Sequence, residues 1–172
     1  FIEYGVGDSS DPVEEPEPEE EEEPQSSTNS HALELYTPDE QYVRVEPAHN
    51  LPSGNEARTV ELWMYPRDVN IDGHALFPLE FGSDESNSGF GPMFRYEGDG
   101  TYTPRVSRGS GSIIGSSSVI IQANTWYHVA LTYDGSTAVL YINGSFVESM
   151  SASAPLTTQD SGAVTIGARL GD

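Results

Sequence analysis

A chain of 172 residues with 28 acidic and 7 basic side chains carries a formal charge of −21 at pH 7. That length suits one domain of ordinary size with a real core, while the charge excludes nucleic acid as a partner, because phosphate backbones require a basic surface. The chain has no cysteine, so disulfides and thiolate chemistry are excluded as well, and no apolar run approaches the roughly 18 residues of a membrane-spanning helix.

The chain opens on Phe1-Ile2-Glu3-Tyr4-Gly5-Val6. Ile2, Tyr4 and Val6 alternate onto one face, so residues 1–7 read as a strand. Residues 8–30 are mostly Asp, Glu, Pro and Ser, with almost no apolar side chains. They cannot offset their ordering entropy by burial and read as an extended acidic linker. Eleven of the 28 acids lie in 1–24, which hold no base, leaving 17 acids against 7 bases, or −10, for the rest. All seven bases are arginine. A polyanionic, lysine-free surface is what a salt-screened medium favours, so a halophilic source stands beside a generic secreted acidic protein.

From residue 31 onward, period-2 segments alternate with turn residues, the pattern of an all-β sandwich. Strands are expected at 32–35, 42–45, 59–65, 75–81, 93–96, 102–107, 119–122, 126–133, 139–143, 146–149 and 164–167. In the third, Val60, Leu62 and Met64 face one way and Glu61, Trp63 and Tyr65 the other, and the sequence leaves open which set packs. Arg108-Gly109-Ser110-Gly111-Ser112 and the glycine-serine run at 115–118 read as flexible loops. Asp134-Gly135 and Asn143-Gly144 mark hairpin turns. The glycosylation sequon Asn143-Gly144-Ser145 is better explained by that turn.

The run 126–136, Trp-Tyr-His-Val-Ala-Leu-Thr-Tyr-Asp-Gly-Ser, followed by Leu140-Tyr141-Ile142-Asn143-Gly144, resembles the laminin G-like, or concanavalin A-like, jelly roll, with its W-x-H-V-A-x-T-Y-D-G and L-Y-x-N-G motifs. A second ordered match lies upstream, in Ala32-Leu33-Glu34-Leu35, Tyr42-Val43-Arg44-Val45 and Thr59 to Pro66. The resemblance covers 31–172. It implies a jelly-roll sandwich of two antiparallel sheets and an extracellular or cell-surface location; the extended N-terminal strand and acidic linker read from residues 1–30 lie ahead of it.

The resemblance also brings three chemistries to test. Family glycoside hydrolases need paired carboxylates; the nearest approach here is Glu97-Gly98-Asp99, whose glycines make a turn rather than a rigid strand, so a non-catalytic reading is adopted. Sugar binding in the family implies an exposed aromatic platform. Tyr96 and Tyr102 are the foremost candidates, with Tyr36, Phe90 and Trp63 behind them, each weighed against ordinary core burial. Calcium-binding relatives imply loop carboxylates, for which Asp39 and Asp99 are the candidates, with Glu40, Asp84 and Glu85 nearby; solvated surface charge competes with that assignment. His31, His49, His74 and His128 show no metal-ligand spacing, so no cofactor other than calcium is expected.

Family members continue after the segment matching 164–172 into a last strand, F-x-G-x-I-D-E-V-x-I-Y, and this sequence stops before it. Phe1, Ile2, Glu3, Tyr4 and Val6 match part of that strand at the opposite end. The arrangement points to donor-strand exchange, with the N-terminal strand of one copy completing the sandwich of the next and generating a head-to-tail filament. Closure of its own domain, a tail from a preceding tandem domain, and disorder are the competing readings. A carbohydrate-binding or adhesion module of a larger surface protein is the alternative function, and a glycoside hydrolase the third.

Overall fold

The computed structural model describes residues 31–35, 41–67, 75–98 and 100–171. Two compact units divide the chain between Glu34 and Leu35. Of the first, the described residues 31–34 are exposed and in no strand, unlike the strand expected at 32–35.

The second unit is all strand and loop among its described residues. Its strands are β1 (Val43–Ala48), β2 (Arg58–Met64), β3 (Ala75–Leu76), β4 (Leu79–Gly82), β5 (Gly89–Gly98), β6 (Thr101–Ser107), β7 (Ser112–Ile114), β8 (Val119–Ile120), β9 (Tyr127–Tyr133), β10 (Thr137–Ile142), β11 (Ser145–Ser151) and β12 (Gly162–Ile166). Every pairing is antiparallel. One sheet runs β1-β12-β4-β5-β6-β7, with β3 on β5 and β8 on β6; the other runs β11-β10-β9-β2. This is the expected sandwich.

The alternation in β9 is complete. Tyr127, Val129, Leu131 and Tyr133 are buried and His128, Ala130 and Thr132 are not, as a half-covered strand requires. In β2, Val60 lies inward with Leu62 and Met64 against the core, while Glu61 and Trp63 face out, which settles the choice left open by sequence. Asn143 (φ 51°) and Gly144 (φ 75°) form the β10–β11 turn with two positive φ values, the primed geometry that matches strand twist.

Three expectations change. The segment 75–81 divides at Phe77-Pro78 into β3 and β4, because proline has no N–H to give the ladder. β5 extends back through Gly89 and Gly91, where a Cβ on Gly91 would stand 2.1 Å from the Leu79 carbonyl oxygen; glycine permits this close approach of two strands. The loop expected around Ser112 contains β7.

The core lies between the sheets. Phe90, Phe94, Val106, Ile121, Val129, Leu131 and Ala138 are fully enclosed. Arg58, buried at the end of β2, lies 5.6–5.9 Å from the ring centroids of Phe81, Phe90 and Tyr133. It donates to the carbonyls of Glu56 and Gly54, each at 2.8 Å, so its charge is solvated by backbone oxygen.

An open side and a bare aromatic face as candidate functional site

Burial on the core side of the larger sheet falls steadily toward β1. Residues directly opposite each other share a face, and Phe90, Phe81, Val164 and Val45 form one such row across β5, β4, β12 and β1. Phe90 is 0% exposed, Phe81 5%, Val164 half-buried and Val45 52%. The apolar lining of the sandwich therefore continues past the cover supplied by the smaller sheet.

The smaller sheet ends on the same side. β2 pairs with β9 and, among the described residues, with no strand on its other edge. Its inward Leu62 and Met64 are only half-buried, although Val129, directly opposite Leu62, is fully enclosed. An edge of unpaired backbone groups beside uncovered apolar side chains is a template for strand addition.

A second feature lies on the outward face of the same sheet. The Trp63 ring lies 5.1 Å from the His128 ring, the Tyr65 ring 5.1 Å from Trp126, and Tyr141 6.3 Å from Phe146. Trp63 and Phe146 are both 63% exposed. The His128 Nε2 stands 3.7 Å from a Glu61 carboxylate oxygen, and the His128 N–H donates to Asn143 Oδ1 at 2.9 Å. That second contact ties the sequon asparagine into the turn.

The candidates named from sequence fare differently. Phe1, Ile2, Glu3, Tyr4, Val6, Tyr36, Asp39, Glu40, His74 and Asp99 lie outside the described residues. Tyr102 is corrected: at 1% exposure, with Phe90 at 0%, it belongs to the core and presents no ring to a ligand. Its inward direction on β6 places it there. Tyr96 is half-buried, its ring 5.3 Å from that of Tyr102. Trp63 alone of the named aromatics combines description with broad exposure. The remaining exposed rings escaped notice because strands with aromatics on both faces give no sign of which face the second sheet covers.

Glu97 lies 3.9 Å from Arg95 in an exposed ion pair, immediately before Gly98 (φ 107°). Asp84 is paired with Arg169 at 3.1 Å. Among the described residues, no group of three or more His, Cys, Asp or Glu side chains is placed to hold a metal ion, and no helix is long and apolar enough to cross a membrane.

Two other carboxylates are enclosed, and both have structural partners. Glu80 accepts from the Ser107 hydroxyl and from the Leu170 N–H at 2.9 Å. Burial pushes its carboxyl above the ordinary range, against the pull of those hydrogen bonds, one from Gly109 and the Arg169 charge. Glu148, on β11, accepts from the Ser116 N–H and hydroxyl, both at 2.7 Å, and from the Ser117 N–H at 2.8 Å. Burial pushes its carboxyl up, but these hydrogen bonds outweigh it and hold the group below its ordinary value.

The family model described as the concanavalin A-like lectin/glucanases superfamily matches residues 37–172. Among solved structures, the chain is similar to domain 4 of an extracellular arabinanase from Geobacillus stearothermophilus, in complex with arabinotriose (22% identity, TM-score 0.54, covering 76% of this chain and 59% of that one). It is also similar to a heptameric SAP-like pentraxin from Limulus polyphemus (20%, TM-score 0.52, 76% and 60%). Domains LG4-5 of the mouse laminin alpha1 chain are a third match (16%, TM-score 0.51, 74% and 32%). At these identities the likeness is one of fold, and this chain spans between 32% and 60% of those proteins' lengths. None of the curated proteins matches it.

Proposed function

This chain belongs to the concanavalin A-like lectin/glucanases superfamily, and from that premise we propose that it is a non-catalytic, extracellular structural subunit that assembles head-to-tail into a surface filament by strand exchange. The observation that carries the reading is the loss of cover along Phe90, Phe81, Val164 and Val45, on the side where β2 also lacks a neighbour among the described residues. One added strand beside β2 would pair its edge and cover both apolar margins at once.

The donor is the segment Phe1 to Val6 of a neighbouring copy. Laid antiparallel to β2, it sets Ile2, Tyr4 and Val6 opposite Met64, Leu62 and Val60, with Glu3 and Gly5 on the outward face. A slip of one residue would turn the apolar set to solvent, so the register is strongly specified. Burial of three such side chains is worth at most about 5–8 kcal/mol before ordering costs. The acidic linker of 23 residues, stretched by charge and proline to roughly 70 Å, gives ample reach between domains.

The absence of native cysteine makes disulfide trapping a direct test. A Tyr4→Cys, Leu62→Cys double variant, mildly oxidised, should give a ladder of dimers and higher species on a non-reducing gel. A cross-linked monomer alone, or no cross-link, would overturn exchange between copies. Deleting residues 1–7 should leave monomers or insoluble protein; unchanged assembly would refute the proposal by a second route.

A further inference from the structure

Tyr65 and Trp126 stand on the outward face of the four-stranded sheet, just past the end of β2 and just before β9, with rings 5.1 Å apart and 39% and 50% exposed. Exposed aromatic area this close together marks an interaction surface. We propose that this surface receives Phe1 of a neighbouring copy, so that the donor strand is recognised on both faces: Ile2, Tyr4 and Val6 by the core, and Phe1 by the outward ring pair. The inference rests on the strand exchange proposed above and adds to it a specificity-determining contact outside the core.

Three observations select this occupant. First, the register leaves no freedom in where Phe1 falls. Trp63 faces His128 and Met64 faces Tyr127 across β2 and β9, so Tyr65 and Trp126 are the next pair along. The Asn124 N–H donates to the Pro66 carbonyl at 2.7 Å just beyond them, which keeps the two chain ends together. On the other edge of β2, a strand that sets Ile2 opposite Met64 sets Phe1 opposite Tyr65. Residues directly opposite share a face, and neighbouring strands lie about 4.8 Å apart. Phe1, Tyr65 and Trp126 then form one outward row, at a spacing within the roughly 4.5–7 Å that aromatic pairs favour.

Second, the charges on that face accept the strand. Glu61, an outward carboxylate of β2, falls opposite Gly5, and Glu3 falls opposite the uncharged Trp63. No like charges stand directly opposite each other, the arrangement that would oppose pairing.

Third, core filling does not account for the Phe1 ring. Alternation that turns Ile2, Tyr4 and Val6 inward turns Phe1 outward, where only a neighbour on the outward face can take it out of water. The Tyr65 and Trp126 rings supply that neighbour beside the edge of β2 that no described strand pairs. Tyr141 and Phe146, on β10 and β11, stand toward the opposite edge of the sheet, away from the donor.

Assembly of the full chain, followed as molar mass against concentration by light scattering, tests the contact. Phe1→Ala and Trp126→Ala should each raise the concentration for half-assembly roughly five- to tenfold, the loss of one aromatic pair. The double variant should be no weaker than either alone, the signature of two residues in one contact, and Phe146→Ala should assemble as the unsubstituted chain does. A Phe1→Cys, Tyr65→Cys double variant, mildly oxidised, should give the same ladder as Tyr4→Cys with Leu62→Cys. If the Tyr4 and Leu62 positions cross-link between copies while Phe1 and Tyr65 do not, or if Phe1→Ala assembles normally, strand exchange stands and this contact falls. If neither pair cross-links, both fall. Fully additive losses in the double variant would also overturn the proposal, because the outward rings would then meet some other part of the neighbour.

Discussion

The outward faces of the two sheets are built in opposite ways. On the larger sheet, Glu80 and Thr165 stand opposite each other on β4 and β12 and are polar, yet both are 0% exposed. The Leu170 backbone binds Glu80 Oε2, and Arg44 on β1 donates to the Leu170 carbonyl at 2.8 Å. On the smaller sheet the outward side chains include two indoles and a phenyl ring, yet nothing among the described residues covers them. Folding alone would hide the rings and solvate the carboxylate. The inversion teaches that the C-terminal turn is fastened down by a buried polar anchor, while the aromatic face is left available.

The largest effect expected within this comparison is on the core both sheets share. Phe90→Ala should destabilise the domain by about 3–5 kcal/mol, read as a lowered urea midpoint, because its ring is enclosed and touches Phe81 and Tyr133 at centroid distances of 5.7 and 5.9 Å. A cost close to zero would mean that the enclosed row is not what holds the sheets together.

Glu80→Ala comes next. It leaves the Ser107 hydroxyl and the Leu170 N–H without their acceptor in an enclosed site, at roughly 2–3 kcal/mol. Faster proteolysis within 168–171 should accompany it. A stability loss with no local loosening would break the anchor half of the comparison.

Much of this sandwich is legible in the residues themselves. The strands around Trp126 to Asn143 follow from strict alternation and from two turn dipeptides whose geometry only small or asparagine-type residues adopt readily. β5 begins at Gly89, ahead of the strand expected at 93–96, because glycine at 91 lets the Leu79 carbonyl approach where a Cβ would stand, a contact that only the fold reveals. β7 was hidden among serines and glycines. The candidate sites were harder: Tyr102 and Trp63 both sit in period-2 runs, and which is buried depends on where the partner sheet lies. Glu80 gave no signal at all, since only the fold brings Ser107 and the Leu170 backbone to it.

The two enclosed carboxylates should answer acid in opposite directions. The Glu80 carboxyl is raised above its unfolded value near 4.5, so its contribution is fully present below that pH and is lost as pH rises through the folded value. The Glu148 carboxyl is lowered, so its contribution is present above about the same pH and is lost as pH falls through the folded value. Denaturation midpoints between pH 3 and 7 should therefore fall less toward neutrality in Glu80→Gln than in the unsubstituted protein, and fall less toward acid in Glu148→Gln. Identical pH profiles for all three would remove both assignments.

The smallest effect is expected on the bare face. Trp126→Ala removes one ring from a tilted pair with Tyr65 and exposes no core, so it should cost under about 1 kcal/mol, the range of cross-strand surface pairs. Trp63→Ala should behave alike, losing the His128 contact. The informative quantity is the contrast with Phe90→Ala in the same urea titration. Rings of comparable size, one enclosed and one half-exposed, differ mainly in the water they displace. Should Trp126→Ala cost as much as Phe90→Ala, the outward rings would be structural members of the sandwich, and their exposure would no longer argue for a partner.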